Sequence, residues 1–240
     1  MKNKVFLIAI AAIIIAGCFT IFFIISPGNQ AEQKPAMQEE QVPATEPVPA
    51  MLKEQEPFMA AKPVIYLYPT EPTEVTVYLE FSGVLDITYP EYNDKWVVTA
   101  YPDGTLINHR DDREYSYLFW EGHGSADYDL SKGFVVKGED TALFLQSKLS
   151  YIGLLPKEYN EFIVYWLPLM QNNPYNLITF QNEAYTDTAE LNVIPTPDSV
   201  LRVFMAFTPL DEIIEIEEQI LIPFNRAGFT VIEWGGSKVQ

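Results

Sequence analysis

Hydrophobic residues are distributed unevenly along this chain. A run without any charged residue occupies residues 5–25 (VFLIAIAAIIIAGCFTIFFII). As a helix rising about 1.5 Å per residue, this run would span about 31 Å, close to the roughly 30 Å hydrocarbon core of a bilayer. A helix is the only single segment that satisfies its own backbone polar groups there. The run therefore predicts one transmembrane helix over residues 5–25.

The charges around this run predict its orientation. Lys2 and Lys4 precede it, whereas the first charge after it is Glu32. Positive residues stay on the cytoplasmic side of membrane helices. We therefore expect a single-pass protein of the cell membrane, with residues 1–4 as a short cytoplasmic tail and the C-terminal domain outside the cytoplasm.

Two other interpretations of the N-terminus stay open. A cleaved secretory signal has a shorter apolar core and a small-residue cleavage site, whereas this run ends at Ser26-Pro27-Gly28. Ile15-Ala16-Gly17-Cys18 resembles a lipobox around the only cysteine of the chain, although residues 19–25 stay apolar where a lipoprotein usually becomes polar. All three interpretations place the domain outside the cytoplasm.

Residues 26–61 have the composition of a stalk. They contain six prolines and six glutamates, with little periodic apolar content. Such a segment buries too little apolar surface to fold, and its prolines favour extended polyproline II geometry. We predict a disordered spacer that holds the domain away from the membrane.

Alternation of apolar and polar residues predicts strands after residue 61. Prolines frame the first strand, and a strong turn is predicted at Pro102-Asp103-Gly104-Thr105 because proline presets φ and glycine accepts positive φ. The alternation places Leu85, Ile87 and Tyr89 on one face of their strand. The strands predicted in this part cover residues 62–69, 75–81, 85–89, 96–101 and 115–120.

The spacing becomes helical near residue 140. Glu139 and Asp140 stand where a helix begins, Leu145, Leu149 and Ile152 follow at helical spacing, and a glycine caps the end. Pro156 opens a second short helix to residue 160 or 161. Further strands are predicted at 162–167, 177–180, 191–194, 200–207 and 230–234, with a helical turn at 224–228. The fold class is α+β, mostly antiparallel β and sandwich-like, with two or three short helices.

Charge and cysteine content restrict the partners. Residues 62–240 hold 11 Lys and Arg against 27 Asp and Glu, a net charge of −16. Such a surface repels phosphate backbones, so we expect no nucleic-acid binding. Divalent cations are compatible with this charge. Because no cysteine follows Cys18, the domain must be stabilised by its aromatic core rather than by disulfides.

The folded part contains several distinctive segments. They are KPVIYLYP at 62–69, TYPEY at 88–92, WVVTAYPDGTL at 96–106, REYSYLFWEG at 113–122, GFVVKGEDTA at 133–142, NEFIVYWLPLM at 160–170, NPYN at 173–176 and GFTVIEWGG at 228–236. These segments resemble an uncharacterised family of exported or membrane-anchored bacterial and archaeal proteins. The resemblance implies an exported location and a single unit over 62–240, rather than two subdomains meeting near residue 130. It implies no catalytic residue.

No recognised catalytic or cofactor-binding motif is present. The chain lacks Gly-x-Ser-x-Gly, His-Glu-x-x-His, a P-loop and a dinucleotide fingerprint, and its only histidines are His109 and His123. We therefore expect no cofactor. For a hydrolase, the candidate carboxylate pair is Glu121 with Glu139, Asp140 or Glu161, provided that one pKa is raised and the two groups lie about 5–9.5 Å apart.

Three other groups of residues are candidates for binding. His123, Asp127 and Asp129 are ordinary metal-ligand types, although their spacing matches no strong template, and a polar loop is the alternative. Arg202 lies in an otherwise apolar strand and must find a carboxylate partner or bind a ligand carboxylate. Glu121, Glu161 and Glu233 are the possible partners of Arg202. The ligand-binding candidates also include Trp120, Glu121 and Trp166. The four tryptophans could provide a flat stacking surface for sugar rings, although aromatic residues usually pack in cores and between strands. They are Trp96, Trp120, Trp166 and Trp234.

These observations favour a non-catalytic binding or interaction module at the cell envelope. The expected partners are the membrane, through the N-terminal helix, and an envelope polysaccharide or a surface protein. An envelope hydrolase with a carboxylate pair is the alternative. A sensor or assembly factor is a third hypothesis, and its cytoplasmic tail of four residues would require a membrane partner for output.

Overall fold

The computed structural model of the protein describes residues 57–239. The predicted tail, transmembrane helix, Cys18 and most of the stalk lie outside the described residues. Strand β1 begins at Pro57, whereas the sequence predicts the start of the domain at Lys62. Among residues 57–239, no helix has the combination of length and apolar character that crossing a membrane requires.

Twelve strands and three helices make up the described part of the chain. The strands are β1 (Pro57–Tyr68), β2 (Thr73–Phe81), β3 (Val84–Tyr89), β4 (Trp96–Ala100), β5 (Leu106–Asn108), β6 (Arg113–Tyr115), β7 (Leu118–Ser125), β8 (Phe134–Lys137), β9 (Tyr175–Gln181), β10 (Ala189–Ile194), β11 (Ser199–Leu210) and β12 (Thr230–Lys238). The helices are α1 (Thr141–Ile152), α2 (Pro156–Met170) and α3 (Glu183–Thr186).

The strands form two sheets. The seven-stranded sheet has the order β3-β7-β1-β12-β11-β9-β8, and the five-stranded sheet has the order β10-β2-β4-β5-β6. Within the described residues, β11 and β12 are the one parallel pair, and all other pairs are antiparallel. The predicted class, α+β with mostly antiparallel strands and few short helices, is confirmed at this level.

The seven-stranded sheet is the middle of three layers. Successive side chains of a strand point to opposite faces, and in β1 Ile65 and Leu67 enter a first core whereas Val64 and Tyr66 enter a second. The first core lies between the two sheets. The second core lies between the large sheet and helices α1 and α2. Because both faces are buried, β1 and β12 read as nearly continuous apolar runs.

Helix α1 follows the predicted pattern. Leu145, Leu149 and Ile152 are buried on one face, and Gly153 ends the helix with φ of 123° and a hydrogen bond from its N–H to the Leu149 carbonyl, 3.1 Å long. Positive φ suits glycine because it has no Cβ. A 3₁₀ turn, Gly138–Asp140, precedes the helix.

The predicted strand at 162–167 is wrong, because α2 continues through it to Met170. Phe162, Trp166 and Met170 are buried at intervals of four residues, which is a helical repeat. Glu158 begins the helix by accepting a hydrogen bond from the Leu155 N–H, 2.7 Å long. The β-branched and aromatic composition favours a strand locally, but packing against the sheet decides the outcome.

Two further predictions near strands are corrected. The predicted strand 115–120 is two strands, and β7 continues to Ser125, so the segment Trp120-Glu121-Gly122-His123 lies within a strand. Leu85 does not share a face with Ile87 and Tyr89, because an irregularity between Leu85 and Ile87 shifts the register by one residue. Such a shift reverses the face to which every later side chain points.

The predicted helical turn at 224–228 is absent from the described structure. Residues 211–229, which we call the connecting segment, run between β11 and β12 without forming a helix. The Phe224 N–H donates to the Ile152 carbonyl over 2.8 Å, and Arg226 forms a two-bond ion pair with the buried Glu158. Contacts with other elements, among them α1, α2, β9 and β11, therefore fix this segment.

Candidate functional site

The face of β3 and β7 that points away from the first core is partly exposed, as is the start of β1 at Met59. In β7, Leu118 and Trp120 enter the first core, so Phe119, Glu121 and His123 point to the opposite face. β7 lies between β3 and β1 in the sheet. Residues directly opposite each other on antiparallel strands share a face. The neighbours of these three residues therefore extend the same surface.

The strand register identifies those neighbours. It pairs Val84 and Met59 with His123, Ile87 with Glu121, and Tyr89 with Phe119. We call these seven residues the open face. Its four apolar residues from β1 and β3 are each more than half exposed. His123 and Glu121 lie between these residues, and the Tyr89 ring also meets the Tyr115 ring edge-on at 5.1 Å. Exposed apolar residues grouped in this way mark an interaction site more often than single scattered ones do.

Polar groups of the open face are held by short contacts. The Nδ1 atom of His123 lies 2.7 Å from Oδ2 of Asp86, which occupies the irregularity in β3. The Oε1 atom of Glu121 accepts a hydrogen bond from the Lys62 N–H, 3.1 Å long. Lys62 has φ of 53°, a left-handed conformation that is uncommon without glycine. These contacts fix the acidic groups next to the apolar residues.

A tyrosine cluster borders the open face on the side of α2. The Tyr66 hydroxyl donates to Oε2 of Glu161 over 2.8 Å, and its ring meets the Tyr117 ring edge-on at 5.4 Å. The ammonium group of Lys62 lies 5.9 Å from the centre of Tyr117 and 5.5 Å from that of Tyr165. Contacts of this kind between a cation and an aromatic ring are attractive.

Burial and nearby carboxylates keep these tyrosines neutral. Burial raises the pKa of Tyr165, and the negative charge of Glu121 raises it further. Burial likewise raises the pKa of Tyr117, with a second contribution from the Glu161 charge. The two predicted carboxylates, Glu121 and Glu161, therefore act on one cluster of rings.

The other two predicted carboxylates lie elsewhere. Glu139 and Asp140 belong to the 3₁₀ turn that follows β8, at the opposite edge of the sheet from β3. Glu139 forms a surface ion pair with Lys137, 3.8 Å long. The structure therefore does not place Glu139 or Asp140 in the cluster that contains Glu121.

His123, Asp127 and Asp129 do not form a metal centre in the structure. No group of three or more His, Cys, Asp or Glu side chains within residues 57–239 is arranged to hold a metal ion. His123 contacts Asp86, as described above. The Asp129 carboxylate instead accepts the Ser131 N–H over 2.8 Å. Hydrogen bonds from the Ser131 hydroxyl and, second, from this N–H lower the pKa of Asp129 below its ordinary value.

The tryptophans belong to the cores. Trp120 is 0% exposed in the first core and Trp166 is 1% exposed in the second, and Trp96 and Trp234 are buried as well. None of the four presents a ring face to solvent. The predicted stacking surface for sugars therefore cannot consist of tryptophan.

Arg202 forms a buried ion pair with one of its three predicted partners. Its Nε lies 2.5 Å from Oε2 of Glu233, with side-chain exposures of 11% and 0%. Trp120 donates its Nε1–H to Oε1 of the same carboxylate over 3.2 Å. The Arg202 guanidinium also lies over the Tyr185 ring, 4.8 Å from its centre.

The Arg202–Glu233 pair and the neighbouring Tyr185 shift one another's pKa values. Burial alone lowers the pKa of Arg202, but the Glu233 carboxylate and Tyr185 outweigh burial and raise it above its ordinary value. Burial raises the pKa of Tyr185 well above its ordinary value, and the Glu233 charge adds to this. Arg202 is thus cationic and Tyr185 neutral at every ordinary pH.

A cavity of about 390 Å³ adjoins Arg202. It lies where β9 ends, because the pairing of β9 with β11 starts at Gln181 and Phe204 and leaves the first residues of β11 without that neighbour. Residues from both faces of β11 line it for this reason. The lining residues are Asp129, Lys132, Ile152, Phe180, Gln181, Asn182, Leu201, Arg202, Val203, Phe204, Glu218, Gln219, Ile220, Leu221 and Ile222.

Comparison with known proteins finds one short relative and does not assign a family. No protein-family model matches the chain, and no solved structure matches it significantly. A Butyrivibrio fibrisolvens protein named "Uncharacterized protein in bglA 3'region" is 52% identical over 64 residues, which are 25% of this chain. The chain spans 65% of the length of that relative.

Sequence reasoning found some of these residues and missed others. It selected Glu121, His123, Glu161 and Arg202, which the structure places in the open face, the tyrosine cluster and the cavity wall. It missed Met59, Val84 and the cavity. Val84 lies beside the register shift at Asp86, and a simple alternation of two does not describe such a shift. The cavity depends on where β9 ends and on the path of the connecting segment, which have no local sequence signal.

Proposed function

We propose that residues 57–239 form a non-catalytic binding module at the cell envelope, with the open face as its binding surface. The N-terminal run over residues 5–25 would hold it in the cell membrane, and residues 26–56 would serve as the spacer. The observation that carries the proposal is the exposure of Met59, Val84, Ile87 and Tyr89 on the two strands that flank His123, Glu121 and Phe119 of β7. The motifs that resemble an exported family support the location.

The composition of the open face favours a protein partner over a polysaccharide. Sugar rings stack on flat aromatic rings, but three of the four exposed apolar residues are aliphatic: Met59, Val84 and Ile87. Aliphatic side chains neither stack with a sugar nor bond to its hydroxyls. Methionine and tyrosine are enriched at protein–protein interfaces. The partner is therefore a surface protein, and a polysaccharide is the other outcome of the test.

The negative charge of this chain predicts a second property of the partner. Glu121 belongs to the open face, Asp86 contacts His123 of that face over 2.7 Å, and the whole chain carries a net charge of −18. Complementary charge speeds association and selects partners, and salt screens it. The proposed partner therefore presents Lys or Arg around an apolar centre.

A hydrolase remains the second candidate because the structure brings Glu121 and Glu161 to one tyrosine cluster. Glu121 accepts the Lys62 N–H and Glu161 accepts the Tyr66 hydroxyl. The cavity beside Arg202 contains neither carboxylate. Loss of an envelope-degrading activity in both Glu121→Gln and Glu161→Gln would favour this candidate over the binding module.

Site-specific photo-crosslinking in intact cells tests the proposal. A benzophenone amino acid is placed at Ile87 in the full chain, and at Val164 as a matched control, because Val164 is a β-branched residue that is 75% exposed on α2. We expect a protease-sensitive adduct from position 87 alone, which disappears when Tyr89→Asp is added. Equal adducts from both positions, or an adduct that only a glycosidase removes, would overturn the choice of a protein partner.

Protease applied to intact cells tests the location separately. If the domain lies outside the cytoplasm, external protease removes it without cell lysis. Complete protection of the domain until lysis would contradict the predicted orientation.

A further inference from the structure

The cavity beside Arg202 lies at a free edge of β11. β9 pairs with β11 as far as Gln181, which lies opposite Phe204, and the chain then leaves the sheet for α3. Within residues 57–239, no other strand takes the place of β9 beside residues 199–203. The beginning of β11 is therefore paired on one side only, with β12. Such an edge presents unpaired N–H and C=O groups to a neighbouring chain.

The main chain of Arg202 points from this edge into the cavity. In an antiparallel pair, residues that exchange hydrogen bonds alternate with residues that do not. The side-chain amide of Gln219 binds the N–H of Phe180 over 2.7 Å and its carbonyl over 3.0 Å, so Phe180 turns its main chain away from β11. Gln181 therefore turns its main chain towards Phe204. Two residues earlier in β11, the N–H and C=O of Arg202 face the same side as those of Phe204.

The pairing of β11 with β12 gives the same direction. The Ser199 N–H donates to the Phe229 carbonyl over 3.2 Å, just before β12 begins. Because the main-chain groups of a strand alternate between its two sides, residues 201 and 203 also face β12, and residues 200 and 202 face away from it. In the part of the chain that the structure describes, the N–H and C=O of Arg202 therefore meet no strand. This direction also explains why residues with side chains on both faces of β11 line one cavity.

The connecting segment forms the opposite wall of the cavity. It runs antiparallel to β11, because Gln219 is held at Phe180 and, further along, the Ala227 N–H donates to Oγ of Ser199 over 3.1 Å. Among the described residues, the backbone groups of 218–222 find no hydrogen-bond partner. Two chains with free backbone groups thus face one cavity of about 390 Å³.

The side chains of the connecting segment alternate along this wall as they do in a strand. Leu221 packs against the second core, and Gln219 points to Phe180. The alternate residues Ile220 and Ile222 are 93% and 79% exposed. Two neighbouring isoleucines that remain exposed indicate a contact surface for a partner.

The charges around the cavity indicate the chemistry of that partner. Lys132 is paired with Glu217 at 2.6 Å, and the guanidinium of Arg202 is paired in the first core. Asp129 and Glu218 also line the cavity, so the charge that is left uncompensated is negative. Complementary charge selects partners. The partner therefore combines basic side chains with aliphatic ones.

We propose that the cavity binds an extended segment of another protein by strand addition. The added strand continues the line that β9 leaves, and it pairs with the main chain of Arg202 on one side and with residues 218–222 on the other. Its aliphatic side chains contact Ile220, and its basic side chains lie near Asp129 and Glu218. The site is independent of the open face, which belongs to β1, β3 and β7.

Calorimetric titration of the full chain in a non-ionic detergent tests strand addition. The probe is a synthetic hexapeptide of alternating lysine and valine. One control peptide has every second backbone nitrogen methylated, which removes main-chain donors but keeps the side chains and the charge. The other control has glutamate in place of lysine. We expect each control to bind more weakly by on the order of 10-fold or more. Equal affinity of either control, or no binding of the lysine–valine peptide, would overturn the proposal.

Two variants of the connecting segment test the position of the site. Ile220 lines the cavity, whereas Ile213 is 68% exposed in the same segment and does not line it. Ile220→Arg should weaken binding of the lysine–valine peptide by on the order of 10-fold. The matched control Ile213→Arg adds the same charge and should leave the affinity unchanged. Equal effects of the two variants would overturn the proposal.

Amide hydrogen exchange locates the bound peptide. Because main-chain pairing protects amides from exchange, the lysine–valine peptide should slow exchange in residues 200–202 and 218–222 and leave β3 and β7 unchanged. Slower exchange in β3 and β7 alone would place the peptide on the open face and overturn the proposal. The crosslinking test at Ile87 concerns the open face only, so failure of one proposal leaves the other intact.

Discussion

Arg202 and Glu233 stand directly opposite each other on β11 and β12, with Nε and Oε2 2.5 Å apart. The parallel register places both side chains on the face that points to the first core. A charge of either sign alone would be costly there, because Glu233 is 0% exposed. The buried ion pair can therefore form only when β11 and β12 pair in this register.

Removing one partner of this pair should be strongly destabilising. Arg202→Met leaves the Glu233 carboxylate buried without a counter-charge, and we expect a loss of about 3–5 kcal/mol in the free energy of unfolding. The double variant Arg202→Met/Glu233→Met should recover most of this loss, because a well-packed apolar pair replaces the ions. Urea unfolding of the parent, Arg202→Met, Glu233→Met and the double variant measures both effects. A single variant as stable as the parent would exclude a structural ion pair.

The helical nature of residues 156–170 has its own test. Phe162 is 0% exposed and Val164 is 75% exposed. Phe162→Ala should cost about 3–5 kcal/mol through the cavity it creates, and Val164→Ala should change stability by less than about 0.5 kcal/mol. In the predicted strand, residues 162 and 164 would share a face. Similar losses for both variants in thermal unfolding would therefore contradict the helix.

The ion pair between Arg226 and Glu158 should hold the connecting segment against α2. Nη1 of Arg226 donates to Oε1 of Glu158 over 2.9 Å, and Nη2 also donates to the Gly153 carbonyl over 3.0 Å. Because hydrogen bonds to charged groups contribute about 1.5–3 kcal/mol, Arg226→Gln should increase amide hydrogen exchange in residues 211–229. Lys157→Gln, on the same turn of α2, serves as the control. Exchange that rises equally in both variants would mean that the ion pair does not fix the segment.

The hydrogen bond between Tyr115 and Asp111 should make the stability of the protein decrease at alkaline pH. Its hydroxyl donates to Oδ2 of Asp111 over 2.6 Å, and this hydrogen bond raises the pKa of Tyr115 to about 12, above the ordinary 10.0. Because the pKa of Tyr115 is higher in the folded protein than in the unfolded chain, its hydrogen bond stabilises the fold fully below pH 10. This stabilisation is lost as the pH rises towards 12. In Tyr115→Phe, the free energy of unfolding should fall less steeply across that window. Identical slopes in denaturant titrations at several pH values would contradict this.

The sequence was informative where one local pattern dominates. Leu145, Leu149 and Ile152 repeat at helical spacing with Gly153 at the end, and α1 matches this prediction. In 162–170 the composition favours a strand, and only the sheet beneath Phe162 and Trp166 makes the helix better packed. Local propensity therefore failed where tertiary contacts decide the conformation.

The candidate site residues, too, could be predicted only as far as local sequence decides their environment. The need of Arg202 for a carboxylate could be read from its apolar strand, but the choice of Glu233 among three glutamates depends on the parallel pairing of β11 and β12. Trp120 and Trp166 could not be told apart from surface residues by composition alone. The metal hypothesis for His123 had a polar loop as its alternative, and neither describes the residue, which lies in β7 opposite Val84.

The irregularity at Asp86 has a consequence for the behaviour of the protein in crowded surroundings. β3 is an edge strand with the sequence VLDITY, which has strong strand-forming character and a free row of backbone groups. An uninterrupted edge of this kind invites another chain to pair with it and so to start aggregation. The displaced register and the carboxylate of Asp86 interrupt that row, which lowers the tendency of this edge to pair with a second copy of the chain.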